Sequence, residues 1–342
     1  MEQDISISED FFRGIVTDVS ETEHVNDFGF TEGEREVTLR LKDGKEMRVM
    51  QSLNLDNEND NAHVEEGMEL LLVRTTVNGE GRYDIVEPYR LDGIVWLFLL
   101  FVLMVGVVAR KKGLLSFLGL AISFLILGKW LVPMILAGYS PTLVSFFASV
   151  MIATVTFFLS HGIEKKTVLA LFSTLVTLVI AFLMAWLTIE GLQLFGTGSE
   201  EAVALGFGEF QFLNLKGLLL GAIIIGTLGV LDDVTITQVA TVTELHEANK
   251  KLSMTELYRR GLAVGRDHIA SIINTLVLAY VGASFPLFVM MIGWPRPLWV
   301  VLNSEMIAEE IARTLIGSMT LVLAIPFATL VAAYYYAGRK EG

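Results

Sequence analysis

Between Leu91 and Tyr336 the chain carries seven stretches of roughly 19 to 25 mostly apolar residues, each long enough to cross a bilayer as a helix. They cover residues 91–109, 114–137, 142–160, 167–190, 217–241, 268–292 and 312–336. Nothing constrains the fold more, because a helix of this length and polarity has no other solvent in which it is stable. The balance of residue types agrees. Of 342 residues, 53% are hydrophobic and 18% charged, against roughly 25% charged in a soluble domain. A cytosolic enzyme and a disordered chain are excluded. With no cysteine, a disulfide scaffold, thiolate chemistry and Cys-ligated zinc are excluded as well. The chain reads as an α-helical polytopic membrane protein whose first partner is the lipid bilayer.

The first 90 residues differ. They hold 22 of the 38 acidic and 9 of the 25 basic residues, so the net charge of −13 lies entirely there. The shift sets a soluble acidic domain at 1–88 and a transmembrane domain at 91–338. An acidic surface repels phosphate, which argues against nucleic acid and against docking on anionic lipid heads. Short alternating or β-branched runs at 11–19, 36–41, 46–51, 69–76 and 82–86 predict five strands. Asp43–Gly44 marks a hairpin between the second and third, and residues 78–81 (NGEG) join the last two. Residues 54–61 read as an exposed loop without the spacing of a calcium site. Five short strands suggest a small β-barrel of OB or SH3-like type.

Lys and Arg orient the helices. Arg110 to Lys112, Lys165 and Lys166, the group from Lys250 to Arg266, and Arg339 with Lys340 all fall on one side of a seven-span count. That side is expected to be cytoplasmic, with the C-terminus inside and the acidic β-domain outside. The opening MEQDISISED has no apolar export segment, so either the first span carries the acidic tail across or a hydrophobic segment stands ahead of it, and the second is the expectation.

Chemistry concentrates in the fifth and sixth spans. The fifth carries Asp232 and Asp233 about 24 Å along a helix, in its inner half. Thr237, Gln238 and Thr241 follow at helical spacing, and Gly221, Gly226 and Gly229 precede them as close-packing positions. The sixth opens on Arg266, Asp267 and His268 and continues through Ser271, Asn274 and Thr275, with Gly265 and Gly282 as further packing glycines. A carboxylate at membrane depth costs about 2.5–3.5 kcal/mol on insertion scales and needs a partner. Arg266 is the expected counter-ion. Two adjacent carboxylates in low dielectric resist double ionisation. Two readings stand: a structural ion-pair network, or acids that exchange a proton or cation and move a helix. Between the spans, Ser253 and Glu256 form a capping box, and Gly261-x-x-x-Gly265 marks a hinge or a close crossing. HExxH, GxSxG, Walker and dinucleotide-binding glycine patterns do not occur. No catalytic residue, metal site or cofactor is expected, and the chain is not expected to be an enzyme.

Residues 221–286 resemble the YibE/F family of bacterial polytopic membrane proteins. The resemblance rests on GTLGVLDDVTITQVATVTEL and GLAVGRDHIASIINTLVLAYVGASFPL. The family's glycines, its acid late in the fifth span, its GRD and its NTL-x-LAY-x-G fall on Gly226, Gly229, Asp232 or Asp233, Gly265–Asp267 and Asn274–Gly282. The resemblance implies a bacterial plasma-membrane protein with an extracytoplasmic β-domain, and it brings no established activity. The order of acid-bearing helix, amphipathic connection and polar helix is also similar to the C-terminal half of SecDF export subunits and related RND permeases, which implies proton-driven motion. The expected function is a permease or proton-coupled machine. A scaffold or sensor whose β-domain binds an envelope partner is the alternative.

Overall fold

The computed structural model describes residues 7–25, 31–53, 63–77 and 80–338. The chain divides into two compact units, Met1–Met104 and Val105–Gly342.

In the first unit five strands, β1 (Ile7–Val25), β2 (Thr31–Leu41), β3 (Glu46–Leu53), β4 (Glu69–Val77) and β5 (Glu80–Pro88), form one sheet in the order β3-β2-β1-β4-β5. Every pairing is antiparallel. The long β1 lies at the centre because its first half pairs with β4 and its second half with β2. The register slips between Val16 and Asp18, where Thr17 is the extra residue and donates to Thr38 O at 3.1 Å. A bulge of this kind raises local twist and curls a sheet. Alternation then sends Val16, Val37, Leu39, Val49, Leu70 and Leu72 into one core. The Asp-Gly turn forms as expected, with Gly44 at φ +83° and Lys45 N–H donating to Asp43 Oδ1 at 3.1 Å.

All five predicted strands are present, and the expected small barrel of OB or SH3-like type is a half-barrel. Among the described residues the sheet ends at β3 and β5, which are not hydrogen-bonded to each other. Both edges carry charged pairs, Arg48 with Glu36 and Arg82 with Asp84, the usual protection of an open edge. The acidic loop at 54–61 and the Asn78–Gly79 turn lie outside the described residues.

The helices are α1 (Leu91–Ile126), α2 (Val132–Leu136), α3 (Pro141–His161), α4 (Lys165–Gly191), α5 (Glu200–Leu205), α6 (Leu215–Ala248), α7 (Met254–Ala283), α8 (Phe285–Gly293), α9 (Leu298–Leu302) and α10 (Glu305–Ala337). Among the described residues six helical stretches are long and apolar enough to span a membrane, where the sequence predicts seven. The difference lies at the start. Residues 91–109 and 114–137 belong to one apolar stretch of 46 residues, Leu91–Leu136, with a π-helical turn at Leu127–Leu131. A straight helix of that length would reach about 69 Å, more than twice a bilayer core.

It is not straight. Arg110 has φ 53° and ψ −138°, a conformation rare for a residue with a Cβ. A Cβ on Gly113 would lie 2.6 Å from Val105 Cγ1, although eight residues of straight helix separate ends by about 12 Å.

The helix α6 is the hub of the second unit, packing against α3, α4, α7 and α10. Its neighbour α7 starts at the expected capping box, with Glu256 N–H donating to Ser253 Oγ at 3.3 Å and Ser253 N–H to Glu256 Oε2 at 2.9 Å. From there it runs unbroken through Gly261 and Gly265 to Ala283. Those glycines are therefore a crossing and not a hinge.

Candidate functional site

Rotation about the axis of α6 separates the two acids. Adjacent helical residues diverge by about 100°. Asp232 is half-buried and turned towards α3, where the Thr156 hydroxyl lies beside its carboxyl group. Its Oδ1 is buried and has no hydrogen-bond partner. Asp233 is exposed and acts electrostatically on His161, the last residue of α3. Close by, Glu164 pairs with Lys166 at 2.9 Å, and that ammonium holds its carboxyl group below the usual carboxylate range.

Arg266 is not the counter-ion the sequence suggested. It is exposed, and among the described residues neither Asp232 nor Asp233 forms an ion pair. The cause is the way α7 meets α6. Gly265 faces inward, so that a Cβ there would lie 3.0 Å from Gln238 Oε1 and 2.5 Å from Ile325 Cγ2 of α10. With residue 265 fixed against α6, residue 266 is turned about 100° away.

The polar residue that does join helices is Gln238, 1% exposed. Its Nε2 donates to Gly261 O on α7 at 2.9 Å and to Thr329 Oγ1 on α10 at 2.7 Å. One side chain thus ties three helices where α7 has no side chain at positions 261 and 265. A fourth helix is tied on the other flank by the Thr174–Thr235 hydroxyl pair of α4 and α6, at 2.6 Å. Thr237 is exposed and Thr241 half-buried, the latter donating to Thr237 O at 2.9 Å.

Asp267, Ser271, Asn274 and Thr275 are all exposed on α7. Of the packing glycines, Gly221 faces Ser145 of α3, whose Cβ would lie 2.8 Å from an added Cβ, and Gly226 faces the Tyr280 hydroxyl at 3.6 Å. Gly229 and Gly282 have open space where a Cβ would stand, with nothing within 4 Å among the described residues.

Residues 97–338 match the family model described as YibE/F-like protein. The chain belongs to the YibE/F-like family. No curated protein and no solved structure matches it. The matched region contains α2 to α10 whole, so the acid-bearing α6 and the glycine crossing of α7 are parts of the YibE/F-like domain itself.

A second polar locus of the YibE/F-like domain escaped the sequence reading. Glu305 Oε1, at the start of α10, accepts from Phe195 N–H at 2.5 Å and Gly196 N–H at 3.1 Å. One turn on, Glu309 is 6% exposed and its Oε1 accepts from Gly198 N–H at 3.0 Å. Two carboxylates at i and i+4 thus clasp the loop after α4. The available signal was the pairing of Glu305-x-x-x-Glu309 with Gly196 and Gly198, whose bare backbone lets a carboxylate approach.

Proposed function

We propose that this YibE/F-like protein is a bacterial plasma-membrane permease or proton-coupled machine in which Asp232 takes up and releases a proton or cation. The lone carboxylate carries the reading. Asp232 lies on the hub helix, with one oxygen buried and unpartnered and no cation within ion-pair distance among the described residues. A structural network would have paired it, since an unpaired charge at that depth costs about 2.5–3.5 kcal/mol. Binding a proton or cation removes the charge, and the difference between the two states is what can bias the position of α6 against its neighbours. Asp233 and His161 provide an exposed stage for exchange beside it.

The topology that goes with this has seven crossings, the first two joined by the Arg110 turn. It places the half-barrel outside and the C-terminus in the cytoplasm, with Lys111, Lys165 and Lys250 on the inner side. No catalytic group or cofactor is assigned.

A scaffold is the second reading, supported by Phe11 and Ile15, which are exposed on the face of β1 turned away from its core. That apolar face is one an envelope partner would cover. A pH jump across proteoliposomes containing the native chain, Asp232→Asn or Asp233→Asn, each first shown to be folded, separates the two. Proton movement that disappears in Asp232→Asn and persists in Asp233→Asn supports coupling. Flux unaltered by Asp232→Asn contradicts it.

A further inference from the structure

We propose that the cavity between the end of α6, the start of α7 and the end of α10 binds a phosphate group. Its volume is about 880 Å³, within the roughly 300–1,000 Å³ of small-molecule sites. His246 closes it on the α6 side, Lys250 and Lys251 come from the connection to α7, and Tyr334 and Tyr336 come from α10. Among the described residues its lining holds these bases and no carboxylate. Glu256, the acid next along the chain, lies outside the lining and is engaged with the Ser253 hydroxyl at 2.7 Å.

The neighbouring cavity shares His246, Lys250 and Tyr336, but its charge is balanced from within. There Glu164, Glu244 and Glu247 stand against Lys165 and Lys166, and Glu164 pairs with Lys166 at 2.9 Å. The 880 Å³ cavity has the cations without the acids, so an anion is what complements it.

Its wall is also preorganised. Tyr336 stacks on His246 with ring centroids 5.2 Å apart, and the Tyr336 hydroxyl is held at Thr243 Oγ1, 3.1 Å away. His246 Nδ1 is buried and has no hydrogen-bond partner. A proton there would be a buried donor without an acceptor, so the neutral ring carries its proton on Nε2 and offers a donor on its open edge. Two ammonium groups, an imidazole N–H and the Tyr334 hydroxyl are more donors than a carboxylate can accept from. They suit an anion with three or four oxygens, and lysine is a common binder of phosphate. Leu252, Met254 and Ala337 supply an apolar flank for the carbon part of an ester. Basic pockets at the ends of membrane helices take phospholipid heads in this way, and a soluble phosphate ester carries the same group. This assignment does not rest on proton coupling.

Acylation of lysines in the purified full chain, followed residue by residue by mass spectrometry, tests it. Lys250 and Lys251 are expected to be protected, and Lys165 not, by inorganic phosphate in detergent or by phosphatidylglycerol added to phosphatidylcholine nanodiscs. Protection by phosphate in detergent marks a soluble phosphate compound, and protection in nanodiscs alone marks a lipid head. Lys251→Gln, at an exposed position, is expected to weaken binding of the effective probe roughly 10- to 100-fold, and Lys251→Arg to retain it. Protection by neither probe, equal protection of Lys165, or an affinity unchanged in Lys251→Gln would overturn the proposal.

Discussion

Asp232 and Gln238 lie on the same helix six residues apart, and they answer differently to the loss of their polar groups. Gln238 Nε2 donates twice, so Gln238→Leu removes two buried hydrogen bonds, to Gly261 O and to Thr329 Oγ1. That change is expected to destabilise the domain by about 1–3 kcal/mol, measured as a lowered melting temperature in detergent. Among the described residues Asp232 has no cation to lose. Breaking a buried ion pair would cost about 3–5 kcal/mol, whereas Asp232→Asn here is expected to leave the melting temperature unchanged or raise it. A fall of ion-pair size would mean that the acid is structural. The glycines divide in the same manner. Gly265→Ala places a methyl 2.5 Å from Ile325 Cγ2 and is expected to cost about 1–3 kcal/mol, while Gly229→Ala, with open space around it, is expected to be neutral or slightly stabilising.

Elements were legible wherever a pattern had one physical solution. An apolar run of 20 or so residues has only a spanning helix open to it, and alternation bounded by Asp-Gly has only a hairpin. Hence α3, α4, α6 and α10 and all five strands fell where the sequence put them. Tertiary rotation was not legible. Whether Asp232 or Asp233 turns inward depends on how α6 is rolled against α3, and Arg266 points away because Gly265 is pinned against Gln238. The clasp made by Glu305 and Glu309 was hidden because its acceptors are side chains and its donors are backbone N–H groups about 110 residues earlier. Glu309→Ala is expected to leave Gly198 N–H without its acceptor and to expose the loop at 192–199 to protease. Glu309→Gln, which keeps an acceptor oxygen, is expected to protect it. Equal cleavage in both would show that the loop does not depend on the clasp.

At the level of the whole molecule, one tight turn decides the topology. If the chain crosses twice around Arg110, the half-barrel and the C-terminus lie on opposite sides, and cysteines at 43 and 250 label from opposite sides. Labelling from the same side would mean a single long crossing and would reverse the orientation of the half-barrel. Proton coupling requires more than topology, because the hub helix must carry a group that changes protonation. Infrared difference spectra recorded on a pH step in reconstituted protein address this directly. A carboxyl signal present in the native chain, lost in Asp232→Asn and kept in Asp233→Asn, is the expected result. A native spectrum unchanged by Asp232→Asn would contradict the account.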